Sequence, residues 1–175
     1  MKRRATEPFR FSTKAGTLAA LDGLLTHGRL CAQTIVTVSD WSRDREGVVA
    51  RVLSLFPARP LAVRSSSPAE DTAETSNAGA FLSLTDVPAE PDALDAAIAR
   101  VVEAYGADDE AREILVQPMV RDIALSGVVM TRDLDTGSPY YVINYDDFSG
   151  RTDTVTGGGE SKTVYAHRNS LEALH

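Results

Sequence analysis

The spacing of apolar residues changes along this chain, and that change restricts the fold more than any single motif does. In the stretch EPDALDAAIARVVEAYG, Leu94, Ile98, Val101 and Tyr105 recur at intervals of four, three and four residues. This spacing places them on one face of a helix. From Glu113 onward, short β-rich segments separated by turn residues replace the helical pattern. The sequence therefore predicts an α+β fold, with a mixed or antiparallel sheet and flanking helices.

The first part of the chain alternates helix and strand patterns. Leu18, Leu21 and Leu25 have helical spacing, and Thr13 precedes them as an N-cap residue. A β-rich run over residues 34–38 follows. A second helix is then predicted in SDWSRDREGVVARVLSLF, with its cap at Ser39 or Asp40, and a strand in RPLAVRSS.

The later part is predicted to form antiparallel strands. The segments are EILVQPMV, LSGVVMTRD, PYYVINYD, TDTVTG and KTVYAHR, with a tight turn in DLDTGSP. We divide the chain into an α/β segment over 1–110 and mostly antiparallel strands over 111–175. Together they are expected to form a single domain, or the N-terminal part of one, in a longer multidomain protein.

Composition excludes several classes of partner and site. The formal net charge of −7 disfavours nucleic acid and anionic membranes, although a local basic pocket can still bind ATP. Cys31 is the single cysteine, so an internal disulfide is excluded, and it is expected to be a buried, unreactive thiol. With no apolar run long enough to span a bilayer and no signal-peptide pattern, a cytoplasmic protein is expected.

The stretch LAVRSSSPAEDTAETSNAGA, residues 61–80, has two interpretations. An arginine at the end of an apolar strand, followed by serine hydroxyls and loop N–H groups, could bind phosphate. The same residues could form a serine-rich surface turn, with Arg64 paired to Glu70 or Asp71. From composition alone the surface turn is the simpler interpretation.

Three motifs, taken in order, resemble one family. LAVRSSSPAEDTAETSNAGAFLSLTDVP is similar to the VRSS strand end and AED loop of the nucleotide-binding domain of phosphoenolpyruvate synthase and pyruvate phosphate dikinase. ILVQPMVRDIALSGVVMTRDLDTGSPYYVINY resembles the hairpin of that family, and TKAGTLAAL resembles its lysine-containing opening. The resemblance extends over about residues 14–153.

The resemblance implies an ATP-grasp fold, in which two α+β subdomains clamp Mg-ATP. Relatives transfer a phosphoryl group to a histidine of a separate swivelling domain, so the full-length protein would be a kinase or phosphotransferase. Its phosphohistidine and acceptor-substrate domains would lie in the same full-length chain. Such chemistry requires cationic clamps on the phosphates, a divalent metal ion and exclusion of water.

Site residues follow from the resemblance one by one. Lys14 and Arg64 match the cationic residues that would clamp the phosphates and act in catalysis. Ser65 and Ser66 would begin a mobile cover loop that extends to Gly79. Gln117 matches a glutamine on the adenine side. For each of these, an ordinary structural role is the alternative.

The predicted magnesium ligands depart from the pattern of the family. Asp153 falls where the family has a glutamate, and Asn144 and Asp146 lie just upstream as further magnesium ligands. Lys162, after a glycine-rich turn, would contact the nucleotide. Because a shorter carboxylate stands at the glutamate position, a catalytically degenerate nucleotide-binding or regulatory module on the same scaffold is the alternative function.

Overall fold

The computed structural model describes residues 12–67, 82–106 and 112–170. The chain divides into two compact units, Met1–Met119 and Val120–His175. Each unit contains its own sheet, and every pairing between the described strands is antiparallel. The predicted α+β class with antiparallel sheets is therefore confirmed.

The first unit contains four helices and four strands within its described residues. In chain order they are α1 (Lys14–Leu21), β1 (Thr34–Thr37), α2 (Val38–Arg43), α3 (Arg45–Leu55), β2 (Leu61–Ser66), β3 (Ser83–Val87), α4 (Pro91–Tyr105) and β4 (Glu113–Pro118). The strand order in the sheet is β1-β4-β2-β3. β4, which the sequence grouped with the later strands, thus lies between β1 and β2.

One face of this sheet forms the hydrophobic core with helices α3 and α4. Alternate residues of the central strands, among them Val63 and Val116, are fully buried in one cluster with Val52 and Ile98. Since side chains alternate between the two faces of a strand, the residues between them point away from this core. The second face is the one that carries the candidate site.

The helix predicted from the clearest periodicity is confirmed. α4 begins with Pro91 at its first turn, and Gly106 at its C-terminal end has a φ of 72°. That left-handed conformation is readily adopted by glycine and ends the helix. Leu94, Ile98 and Val101 are fully buried, as their spacing predicts.

Two other helices differ from their predictions. α1 is capped by Thr13 as expected, yet it ends at Leu21, because Gly23 turns the chain with a φ of 77°. Leu25, expected on its buried face, is therefore exposed. The predicted second helix is two helices, and their caps are Thr37 and Asp44 rather than Ser39 or Asp40.

The second unit is a three-stranded meander. β5 (Ser126–Met130), β6 (Tyr140–Asp146) and β7 (Lys162–His167) pair in sequence order. The TDTVTG segment was predicted as a strand, and that prediction is wrong. It forms a turn instead, in which the N–H of Gly157 donates to the Asp153 carbonyl at 2.7 Å and the N–H of Gly159 to the Thr154 carbonyl at 2.8 Å.

The structure also tests the predictions about Cys31 and about membrane-spanning segments. Cys31 is exposed, so the prediction of a buried thiol is wrong. It lies in the irregular segment between α1 and β1, away from the core cluster. Within the part of the chain that the structure describes, every helix is too short or too polar to cross a membrane.

Candidate functional site

Strand register places three predicted site residues on one face of the first sheet. Ala62 pairs with Gln117, and Arg64 and Ser66 follow Ala62 at intervals of two residues. Directly paired residues of antiparallel strands share a face, as do residues two apart on one strand. Arg64, Ser66 and Gln117 therefore lie on the face opposite the core. Ser65 lies on the core-facing side.

Helix α1 is attached to this face through its first turn. The N–H of Ala15 donates to the Oγ of Ser66 at 3.0 Å, and both residues are fully buried. Lys14 is the first residue of the same helix. Gln33 connects the same turn to β4. Its Nε2 donates to the Ala15 carbonyl at 3.4 Å, and its Oε1 accepts from Gln117 Nε2, also at 3.4 Å. The first turn of α1, which begins with Lys14, is thereby bonded to Ser66 and, through Gln33, to Gln117.

Two buried polar atoms at the end of β2 are left without hydrogen bonds. Neither Arg64 Nε nor Ser65 Oγ has a partner among the described residues, and both atoms are inaccessible to water. Ser65 is only 2% exposed. Because an unsatisfied buried donor costs about 1–3 kcal/mol, such groups are uncommon in folded proteins and each needs an explanation.

The N-terminal donors of α1 are already used by protein atoms. Thr13 Oγ1 accepts from the N–H of Gly16 at 3.0 Å and donates to the carboxylate of Glu113 at 2.7 Å. The N–H of Ala15 is bound to Ser66. The helix terminus is therefore a support for the face of the sheet, and these N–H groups are not directed at a ligand.

Sequence reasoning missed several residues that build this face. Gln33, Tyr105 and Glu113 all contact a predicted site residue or its neighbour. The pattern identified Tyr105 only as an apolar position of α4. A polar side chain at the end of an otherwise apolar strand, as in Glu113, was a signal that could have identified one of them. The predicted cover loop to Gly79, with the alternative partners Glu70 and Asp71, lies outside the described residues.

The predicted metal ligands of the second unit each have a protein partner. Asn144 Oδ1 accepts from Thr163 Oγ1 at 2.7 Å. Asp146 Oδ1 accepts from the N–H groups of Phe148 and Ser149, both at 2.9 Å, and its other oxygen accepts from the Ser149 hydroxyl. Led by the Ser149 hydroxyl, these hydrogen bonds hold the pKa of Asp146 well below its usual range.

Asp153 forms a bidentate ion pair with Arg151. Arg151 Nε and Nη2 donate to its two carboxylate oxygens at 2.9 and 2.7 Å. Within residues 12–67, 82–106 and 112–170, three or more His, Cys, Asp or Glu residues are nowhere grouped in a way that could hold a metal ion. Magnesium binding by Asp153 would require this carboxylate to leave Arg151.

Lys162 begins β7 and borders a cleft within the second unit. Its Nζ donates to Asp147 Oδ2 at 2.6 Å, and this hydrogen bond raises the pKa of the lysine. The cleft has a volume of about 540 Å³, and Tyr145 and Phe148 also line it. Lys162 can turn toward a ligand in this cleft only by giving up the bond to Asp147.

Comparison with known proteins adds no assignment. The chain matches no protein-family model. It also has no significant match among curated proteins.

Proposed function

We propose that this chain is the ATP-binding domain of a phosphoenolpyruvate synthase-like phosphotransferase with an ATP-grasp fold. It would clamp Mg-ATP for phosphoryl transfer to a histidine of another domain. The supporting observation is Arg64 Nε, a buried donor without a hydrogen-bond partner among the described residues, which lies on the face opposite the core at the end of a strand whose sequence resembles the phosphate-binding motif of that family.

The chemistry of the Arg64 side chain suits phosphate oxygens. A guanidinium group presents several N–H donors in a planar fork, and hydrogen bonds from it to an anionic oxygen are about twice as strong as neutral ones. An anion that bound Arg64 Nε would remove the unfavourable free energy of leaving this donor unsatisfied.

The surrounding network would hold the strand end in place. Ser66 is bonded to α1, the helix that begins with Lys14, and Gln117 is connected to the same helix through Gln33. In the proposal, Lys14 contributes positive charge near the phosphates and Gln117 contacts the base. Magnesium would enter with the nucleotide, since this ion is commonly held by one or two carboxylates together with substrate phosphates.

Calorimetric titration of the 175-residue protein with Mg-ATP tests this function. Arg64→Ala should weaken binding by about tenfold or more, since a charged hydrogen bond contributes about 1.5–3 kcal/mol. Arg64→Lys, which keeps the charge but loses the fork, should give an intermediate loss. Arg100→Ala removes an equal charge from an exposed position of α4 and serves as the control. Absence of Mg-ATP binding by the wild-type protein would refute the proposal.

One observation favours the alternative of a catalytically degenerate or regulatory nucleotide-binding module. Asp153, which stands where the family has a glutamate, is held by Arg151, and Asn144 and Asp146 are also engaged. Such a module would bind ATP and release no phosphate. Measuring phosphate release by the full-length protein, alongside Mg-ATP affinity, separates the two functions.

A further inference from the structure

The two glutamines of the chain, Gln33 and Gln117, lie side by side on the first sheet. β1 pairs with β4 so that Thr34 lies opposite Val116, and one residue further along this register Gln33 lies opposite Gln117. Both side chains are half-buried. Because directly opposed residues share a face, Gln33 belongs with Gln117 to the face opposite the core.

A backbone carbonyl fixes the orientation of both glutamine amides. Gln33 is bonded to the carbonyl of Ala15, and a carbonyl oxygen can only accept, so the NH2 group of Gln33 faces Ala15. The Gln33 oxygen then faces Gln117, and Gln117 must in turn direct its own NH2 group at that oxygen. Reversing either amide would place two oxygens, or two N–H groups, against each other.

The amide of Gln117 therefore presents its oxygen on the side away from Gln33. An amide carries its donor and its acceptor on different sides of the terminal carbon, so fixing the NH2 group also fixes the oxygen. Within the described part of the chain, the side chain of Gln117 makes no hydrogen bond other than the one to Gln33. Its Oε1 can thus accept a hydrogen bond from a ligand on the face that carries Arg64.

We propose that Gln33 is a positioning residue that holds Gln117 as an acceptor toward the purine base, so that the site prefers a base with an amino group at C6. Adenine has this amino donor, whereas a base with a carbonyl at C6 would set its oxygen against Gln117 Oε1. Such a mismatch loses the hydrogen bond and leaves polar groups unpaired. This inference rests on the proposed nucleotide function, in which Gln117 contacts the base.

Calorimetric titration with Mg-ATP and with Mg-ITP measures this preference. Inosine triphosphate has the ribose and phosphates of ATP, but its base carries a carbonyl at C6 and a proton on N1. The wild-type protein should bind Mg-ATP about tenfold or more tightly than Mg-ITP. Both nucleotides bind the same folded protein, so a general loss of stability would not change the ratio of the two affinities.

Substitutions of Gln33 test whether this residue sets the preference. Gln33→Leu removes the acceptor and leaves the Gln117 amide able to turn, so the ratio of affinities should fall to near one. Gln33→Glu keeps an oxygen toward Gln117 and should retain the preference for Mg-ATP. Asn169→Leu removes an exposed amide from the second unit and is the control, with an unchanged ratio expected.

The side-chain amides also give a measurement that needs no nucleotide. In proton–nitrogen NMR spectra, the NH2 protons of Gln117 should exchange with water more slowly than those of the exposed Asn169. In Gln33→Leu this exchange should become faster, because the NH2 group of Gln117 has lost its acceptor. Equal exchange of the Gln117 protons in the wild-type protein and in Gln33→Leu would contradict the proposed orientation.

The outcomes separate this inference from the function on which it rests. Failure of the wild-type protein to bind Mg-ATP overturns the proposed function, and the role of Gln33 with it. Binding of Mg-ATP and Mg-ITP with equal affinity overturns the base preference alone. A preference that persists in Gln33→Leu, or that is lost equally in Gln33→Glu, overturns the positioning role. If Gln33→Leu does not fold, Gln117→Leu applies the test, because it removes the acceptor itself, and a preference retained there overturns the inference.

Discussion

The Oγ of Ser66 accepts a hydrogen bond from the backbone N–H of Ala15, 51 residues earlier in the chain, at 3.0 Å. Both residues are fully buried. This contact joins the start of α1 to the end of β2, and it places Lys14 beside the strand end that carries Arg64. A serine that the sequence suggested for ligand binding thus also has a structural role.

Replacing Ser66 with alanine should lower the free energy of unfolding by about 1–3 kcal/mol. The reason is that the buried N–H of Ala15 would lose its acceptor without gaining access to water. Urea unfolding followed by fluorescence measures this loss, because Trp41 is the single tryptophan of the chain and lies in the first unit. Ser83→Ala, at an exposed strand position, should change stability by less than about 0.5 kcal/mol. Equal effects of the two substitutions would contradict the assigned role.

The contact between Trp41 and Asp95 should contribute to the packing of α2 against α4. The indole N–H donates to Asp95 Oδ1 at 2.8 Å, and the guanidinium of Arg45 lies over the indole ring, 3.9 Å from the ring centroid. Asp95→Ala should destabilise the first unit by about 1–3 kcal/mol, because it leaves a buried donor unpaired.

Asp95→Asn provides the comparison for that variant, since its amide oxygen can still accept from the indole. We expect it to retain most of the stability lost in Asp95→Ala and to keep the tryptophan emission near that of the wild-type protein. If Asp95→Asn were as destabilising as Asp95→Ala, the negative charge rather than the hydrogen bond would be the main contribution.

The stability of the second unit should decrease in acid because of Asp146. Its pKa is lower in the folded protein than in the unfolded chain, so the carboxylate stabilises the fold above about pH 4. That contribution is lost progressively as the pH falls below this value toward the folded pKa. Asp133, with a pKa lowered chiefly by the Thr136 N–H, adds to the loss in the same range.

Unfolding monitored by NMR of the β6 and β7 amides between pH 2 and 7 checks this prediction. Asp146→Asn should be less stable than the wild-type protein at neutral pH and should show a weaker dependence on pH. Asp135→Asn, at an exposed position of the turn between β5 and β6, serves as the control and should retain the wild-type dependence. A pH dependence unaffected by Asp146→Asn would contradict the assignment.

Gly127 should be the position of the second unit that is least tolerant of a side chain. A Cβ at this residue would lie 2.3 Å from the Asn144 carbonyl oxygen and 3.0 Å from Tyr145 Cα, both backbone atoms of the paired strand. Gly127→Ala should therefore separate β5 from β6 and cost about 1–3 kcal/mol or more. Faster hydrogen exchange of the β6 amides in Gly127→Ala would show this loss of stability directly.

Gly28→Ala is the comparison, because a Cβ there meets only a leucine methyl group at 3.7 Å, an ordinary van der Waals distance. It should leave hydrogen exchange unchanged in both units. Equal protection of the β6 amides in Gly127→Ala and the wild-type protein would show that the strands can accommodate the added methyl group.

The sequence by itself determined the elements whose signal is local. The spacing of Leu94, Ile98 and Val101 specified α4, and Thr13 was recognisable as a cap because a threonine before a helix bonds an N–H only three residues away. The strands of the meander followed from β-rich runs between turn residues. The sequence also indicated Arg64 as a candidate phosphate-binding residue, because a charged side chain at the end of an apolar strand requires a polar environment.

Only the tertiary structure decided which distant residues meet. Thr13 bonds Glu113, 100 residues away, and Tyr105 bridges β2 and β4 although its position in the sequence indicates only an apolar helix face. Such contacts depend on strand register and on the burial of polar groups, both of which arise from the packing of the whole unit rather than from local sequence preferences.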